Sequence, residues 1–171
     1  MSSRVSMFAV VLALLSTLGM ATTAAGRPLS PPWQATPPFS SETAVVTVDG
    51  HVVDAEIADT ARLRERGLSY RDALVPGTGM IFLYDESTIR SFWMFEMRFC
   101  LDIVWINDGR VVGAAENACP AENSGDEIPR FRSPEAVQYV LEVDAGWMAA
   151  NGITTGSVVE IDLPPDAGRE P

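Results

Sequence analysis

Two carboxylates hold the main chemical interest of this chain. Asp102 lies inside the run L-D-I-V-W-I at 101–106, and Glu142 inside V-L-E-V at 140–143. A charge set among apolar neighbours needs a partner or a purpose. On one site, the pair could act as acid and base in glycoside hydrolysis, where their separation decides the stereochemistry. They could equally ligate a hard cation such as Ca²⁺. Alternatively, each accepts hydrogen bonds from an arginine or from loop amides and pins the fold. Arg62, Arg64, Arg66 and Arg71 cluster in an otherwise acidic chain. They form either a solvated helix face or a guanidinium site for a carboxylate, internal or on a ligand.

Other chemistries find little support. All twelve cationic residues are arginine, so no lysine is present to form a Schiff base. There is no Gly-x-Ser-x-Gly elbow, and the one histidine, His51, sits at a predicted turn, which suits an exposed residue better than a base. Two cysteines and one histidine at wide spacing make no zinc site, and neither metal nor cofactor is expected. The net charge of −11 and pI near 4.4 argue against nucleic acid, whose backbone needs clustered cations. Pro76-Gly77-Thr78-Gly79 leads into a strand rather than a helix, so it is not a phosphate loop.

The element expected to position Asp102 spans residues 92–117. With a period of two, Trp93, Phe95, Met97, Phe99, Leu101, Ile103 and Trp105 form a continuous apolar face. This makes Trp93 and Trp105 core residues, ahead of a sugar-stacking platform. Asn107-Asp108-Gly109-Arg110 supplies a two-residue hairpin loop. In that register Asp102 faces Ala115, with Gly113 and Asn117 on its side, leaving a shallow pocket or a place for another segment to pack. Glu116 then falls on the apolar face, and a bulge would shift the pairing by one. Cys119 faces residue 98, a diagonal neighbour of Cys100 at roughly 7–8 Å, slightly long for a relaxed bridge. A bulge or a loss of pairing before Pro120 would close the gap. Cys100 and Cys119 are read as a disulfide of an exported chain, against two separate thiols.

Elsewhere, Asp49-Gly50 marks a second hairpin between strands at 43–48 and 51–57. Asp59 or Thr60 caps a helix running to Arg66, and Gly67 stops it. A strand covers 80–84, and 120–134 is a polar loop whose length suggests a flexible rim. Residues 136–143 alternate as a strand, Asp144 caps a helix over 145–151 that ends at Gly152, and 157–163 form a last strand.

The ends differ in kind. Residues 1–25 read as a signal peptide: Arg4, an apolar run at 5–20 and small residues for cleavage. The apolar run is short for a span, which needs about 20 residues, so no membrane attachment is expected after cleavage. Residues 26–42 form a Pro-rich linker, 43–163 a single domain and 164–171 a disordered tail.

An ordered set of motifs now becomes informative: R-G-L-S-Y-R at 66–71, G-T-G-M-I-F at 77–82, F-W-M at 92–94, L-D-I-V-W-I at 101–106, V-L-E-V at 140–143 and G-S-V-V at 156–159. Together they resemble domain-of-unknown-function family 192, also called uncharacterised protein family 0127, over about residues 45–161. The resemblance implies a mainly β fold, a compact antiparallel sandwich or barrel with two short helices, and no assigned activity. The ligand-binding candidates matching its motifs are Arg66, Arg71, Trp93, Met94, Asp102 and Glu142. Two departures stand out: the family commonly has Asn-Thr where this chain has Glu96-Met97, and Met where it has Ser69. The expectation is an exported, non-enzymatic domain that binds a small polar ligand or an envelope protein. A small hydrolase using Asp102 and Glu142, or a structural protein-interaction module, are the alternatives.

Overall fold

A computed structural model describes residues 42–123, 125–165 and 167. The expected signal peptide and nearly all of the Pro-rich linker, like residues 166 and 168–171 of the tail, lie outside the described residues.

Each Asp-Gly pair makes the turn that its backbone freedom permits. β1 (Thr43–Val48) and β2 (His51–Ala58) join through Asp49 at φ 45° and Gly50 at φ 87°. β5 (Leu101–Asn107) and β6 (Arg110–Ala118) join through Asp108 at φ 47° and Gly109 at φ 68°. Positive φ at both central residues matches the right-handed twist of the flanking strands. His51 is exposed at its turn.

After β2 the chain forms α1 (Ala61–Arg66), where the Thr60 hydroxyl accepts from Leu63 N and Gly67 ends the helix. β3 (Thr78–Thr88) and β4 (Ser91–Trp93) follow. Beyond β6 come β7 (Arg130–Arg132), β8 (Val137–Asp144), α2 (Trp147–Asn151) and β9 (Val159–Asp162). One sheet has the order β6-β5-β8-β3-β2-β1-β9, and β4 pairs with β7 in a second. The fold is therefore mainly β with two short helices. One pair, β2 with β3, is parallel, because the chain crosses over through α1 before returning to the sheet.

The large sheet curls into a half-barrel until its edges meet at one end. Val159 N donates to Gly109 O at 2.8 Å, Val111 N to Ser157 O at 2.9 Å and Gly156 N to Val111 O at 2.8 Å. The inner face buries Val46, Val53, Ile57, Ile81, Val104, Ile106 and Leu141, with Met148 of α2 packed among them. The outer face of β3, β8 and β5 buries Met80, Phe82, Val140, Ile103 and Trp105 beneath α1 and the loops around Leu68, Phe92 and Met94. Both sides of the central strands are thus covered, and their middle stretches, residues 80–83, 103–106 and 140–141, are wholly apolar.

The structure corrects five expectations. The long strand over 92–106 is two strands with a loop at 94–100 between them. Parity changes across that break: Phe92 and Met94 are buried, while Trp93 is 38% exposed and is no core residue. Trp105 is buried as expected. In β6, a bulge between the Ile106↔Val111 and Trp105↔Gly113 pairs sets Ile103, not Asp102, opposite Ala115. A second bulge before Leu101↔Ala118 brings Cys119 level with Cys100, and the disulfide closes at a Cα–Cα distance of 4.1 Å. The polar loop at 120–134 contains β7. Asp144 caps nothing, because α2 starts later, at Trp147, with Gly146 in its cap position.

Candidate functional site

Register decides where each carboxylate points. Asp102 pairs with Val143, and Ile103 with Glu142. Adjacent residues on a strand face opposite sides of the sheet. Asp102 therefore shares the inner side with Val104 and Ile106, and Glu142 shares the outer side with Val140. A site that needs both carboxylates does not exist in this fold.

Asp102 is fully buried and spoken for. Its Oδ1 accepts from Asn117 N at 2.9 Å and Gly146 N at 3.1 Å, and its Oδ2 from Met148 N at 2.9 Å. Asn117 offers its amide because the β6 bulge holds it at φ 51°. The other two amides start α2, which has no side-chain cap of its own. One carboxylate thus fastens a bulge and satisfies orphan donors of a helix start. Its role is structural.

Glu142 is in a different position. A row of side chains crosses the outer face from Glu56 on β2 through Met80 on β3 and Glu142 on β8 to Ile103 on β5. Glu142 is 6% exposed and takes no hydrogen bond from a described residue. Burial pushes its pKa up to about 8, opposed only in part by the positive charge of Arg71. It is therefore mostly protonated near neutral pH and can donate a hydrogen bond. Glu142 lines a cavity of about 20 Å³ with Arg64, Arg66, Ser69, Trp93 and Met97, enough for about one water molecule.

Most of the arginines around this cavity are anchored. Arg71 forms a two-pronged pair with Glu56, Nη1 to Oε1 at 2.5 Å and Nη2 to Oε2 at 2.7 Å, which leaves its guanidinium only a through-space influence on Glu142. Arg64 donates to the carbonyls of Asp59 and Leu83 and stands 5.1 Å from the ring centre of Tyr84. Arg90 covers the same ring at 3.6 Å. Arg66 lies 5.7 Å from the ring of Tyr70, and burial lowers its pKa. Trp93 stands beside the cavity with Arg130 at 4.9 Å and Phe95 at 5.3 Å.

The loops that frame the cavity are tied to each other. Ser69 Oγ donates to Phe95 O at 2.8 Å, and Tyr70 N to Glu96 O at 2.9 Å. Tyr70 at φ 68° and Glu96 at φ 53° are both left-handed, and non-glycine residues hold such angles only under firm support. The two departures from the family pattern, Ser69 and Glu96-Met97, thus meet at one place.

Of the six candidates read from the sequence, Arg66, Trp93 and Glu142 gather at the cavity. Arg71 sits close by and holds Glu56, and Met94 is buried in the outer core. Asp102 is on the other side of the sheet. Sequence reasoning missed Glu56 and noted Ser69 only as a departure from the family pattern. Glu56 carried a signal, being an acid two residues from Ala58 on the same strand face. Arg64 was visible only as one of four similar arginines.

Comparison with known proteins bears on the family and the fold. The family model DUF192, described as "Uncharacterized ACR", matches residues 44–161. A crystal structure of a candidate transcription regulator from Sinorhizobium meliloti 1021 is 31% identical, with a TM-score of 0.61 over 70% of this chain and 92% of that one. A protein of unknown function from Novosphingobium aromaticivorans DSM 12444 is 33% identical, with a TM-score of 0.61 over 69% of this chain and 83% of that one. No curated protein matches.

Proposed function

The chain belongs to the DUF192 family of uncharacterised proteins, and on that footing we propose that it is an exported, non-enzymatic domain binding a small polar ligand beside Glu142. The observation that carries this reading is a buried carboxyl group that has no hydrogen-bond donor among the described residues and opens onto a cavity. A protonated acid there donates to a carboxylate or hydroxyl oxygen of the ligand. The neighbouring guanidinium groups favour the same kind of atom. A cavity this small admits one functional group, so the body of the ligand rests outside it, against exposed Trp93. The other carboxylate lining the cavity, Glu65, is exposed, and the site is read as one for binding rather than hydrolysis.

Export rests on the apolar run near the N-terminus and on the Cys100–Cys119 bridge, since disulfides persist in oxidising compartments. The description of the S. meliloti neighbour as a transcription regulator fits this chain poorly, because a net charge of −11 repels a phosphate backbone.

A thermal-shift series tests the proposal. Small carboxylates, sugars and cell-wall fragments are titrated into the full-length chain and its Glu142→Leu and Trp93→Ala variants. A ligand of the native state raises the melting temperature as its concentration passes Kd. The expected result is a dose-dependent rise in the parent that both variants lose while staying folded. A panel that leaves the parent unmoved at millimolar concentration, or moves Glu142→Leu equally, refutes the site.

A further inference from the structure

A second concavity lies away from Glu142, along the edge of β6, and shares none of the residues of the site proposed above. Its volume is about 680 Å³, within the range of ligand-binding clefts. Buried Met148 and Ile153 line its floor, and exposed Thr154, Thr155, Glu116 and Arg132 line its rim.

The backbone of this edge is the distinctive feature. Residues facing each other across an antiparallel pair alternately exchange hydrogen bonds and turn them outward. Asn107 and Arg110 close the hairpin, so Val111 turns outward, and it bonds Ser157 and Gly156. Past the bulge, the Val104↔Ala114 pair occupies the next outward position. On that alternation the Ala114 N–H points outward, away from β5, and Ala114 lines the groove. The chain's own segment already pairs antiparallel with this edge, at Arg110↔Val158. Its Thr154 and Thr155 then form the far bank of the groove, so the pairing stops where the groove begins.

We propose that the β6 edge takes an extended, cationic peptide as an added strand, continuing the pairing that residues 156–158 begin. Main-chain bonds to Ala114 supply the register, and alternate side chains enter the groove. At the rim the charges of Glu116 and Arg132 offset each other, and the net charge of −11 of the chain as a whole selects positive side chains. A second copy of the chain would bring an equally acidic surface to the same edge, which disfavours it as the occupant.

The experiment selects binders from a displayed library of eight-residue peptides on the oxidised full-length chain, then measures the selected peptides by fluorescence anisotropy. Enrichment of alternating β-branched residues with flanking arginine or lysine is expected. Ala114→Pro removes one outward amide at an edge position where proline is tolerated. It is expected to weaken binding at least tenfold at an unchanged melting temperature. A second measurement leaves the strand untouched: each peptide is retested with the facing amide N-methylated, and the same loss is expected. No enriched peptide, full affinity of the N-methylated form, or sedimentation showing a dimer that peptide does not dissociate would each overturn the proposal.

Discussion

Glu142 is a residue whose burial and whose charge are in conflict, and pH should expose that conflict. The unfolded chain releases this proton near 4.5 and the folded chain near 8. Between those values the folded state binds more protons, so this group's contribution to stability falls as pH rises through the window and is constant beyond it. Urea midpoints of the parent should therefore drop relative to Glu142→Gln from pH 5 to pH 8. The difference should reach on the order of a few kcal/mol, with the variant the more stable protein at the upper end. A parallel pair of curves would mean that Glu142 is ionised in the fold. Asp102 has the partners that Glu142 lacks, because three amides point at it. Asp102→Ala leaves those donors unpaired, that of Met148 in the core, and should cost about 3 kcal/mol in chemical denaturation. Both acids were visible in the sequence as charges in apolar runs. Which was anchored and which was open was not, because neither run says what packs over it.

Among the elements, the close approach of β3 to β8 matters most for the site. A Cβ on Gly79 would lie 2.5 Å from the carbonyl oxygen of Glu142, a contact with backbone that no rotamer relieves. Gly79→Ala should force the strands apart, cost about 2 kcal/mol, and loosen the strand that carries Glu142. Faster amide exchange on β8 than on β1 in that variant would be the local sign, and uniform exchange would count against it. The helix signals at Thr60, Gly67 and Gly152 were legible because caps are local chemistry. The start of α2 was not, since its cap is Asp102, 45 positions upstream of Trp147 by numbering. The break at 94–100 was also hidden. Its alternation continues that of a strand, and only the pairing of β4 with β7 shows where the long strand ends.

For the molecule as a whole, the disulfide ties the start of β5 to the end of β6 across 19 residues. Closing a loop of that size removes unfolded-state entropy worth about 3 kcal/mol. Paired Cys100→Ser and Cys119→Ser substitutions should lower stability by about that amount, and reductant should have the same effect on the parent but none on the double variant. The sequence by itself determined the strand-rich class, both two-residue hairpins and the family, and it favoured a bridge between the two cysteines without fixing it. Each of these follows from local backbone preference, side-chain period or motif order. Tertiary structure alone decided the bulges in β6, and these set the register, level the cysteines and present Asn117 to Asp102. It also decided that Trp93 faces solvent and that the two carboxylates part company across the sheet. A period-two pattern defines two faces but not which one is inside, and where both faces are buried, hydrophobicity no longer distinguishes them.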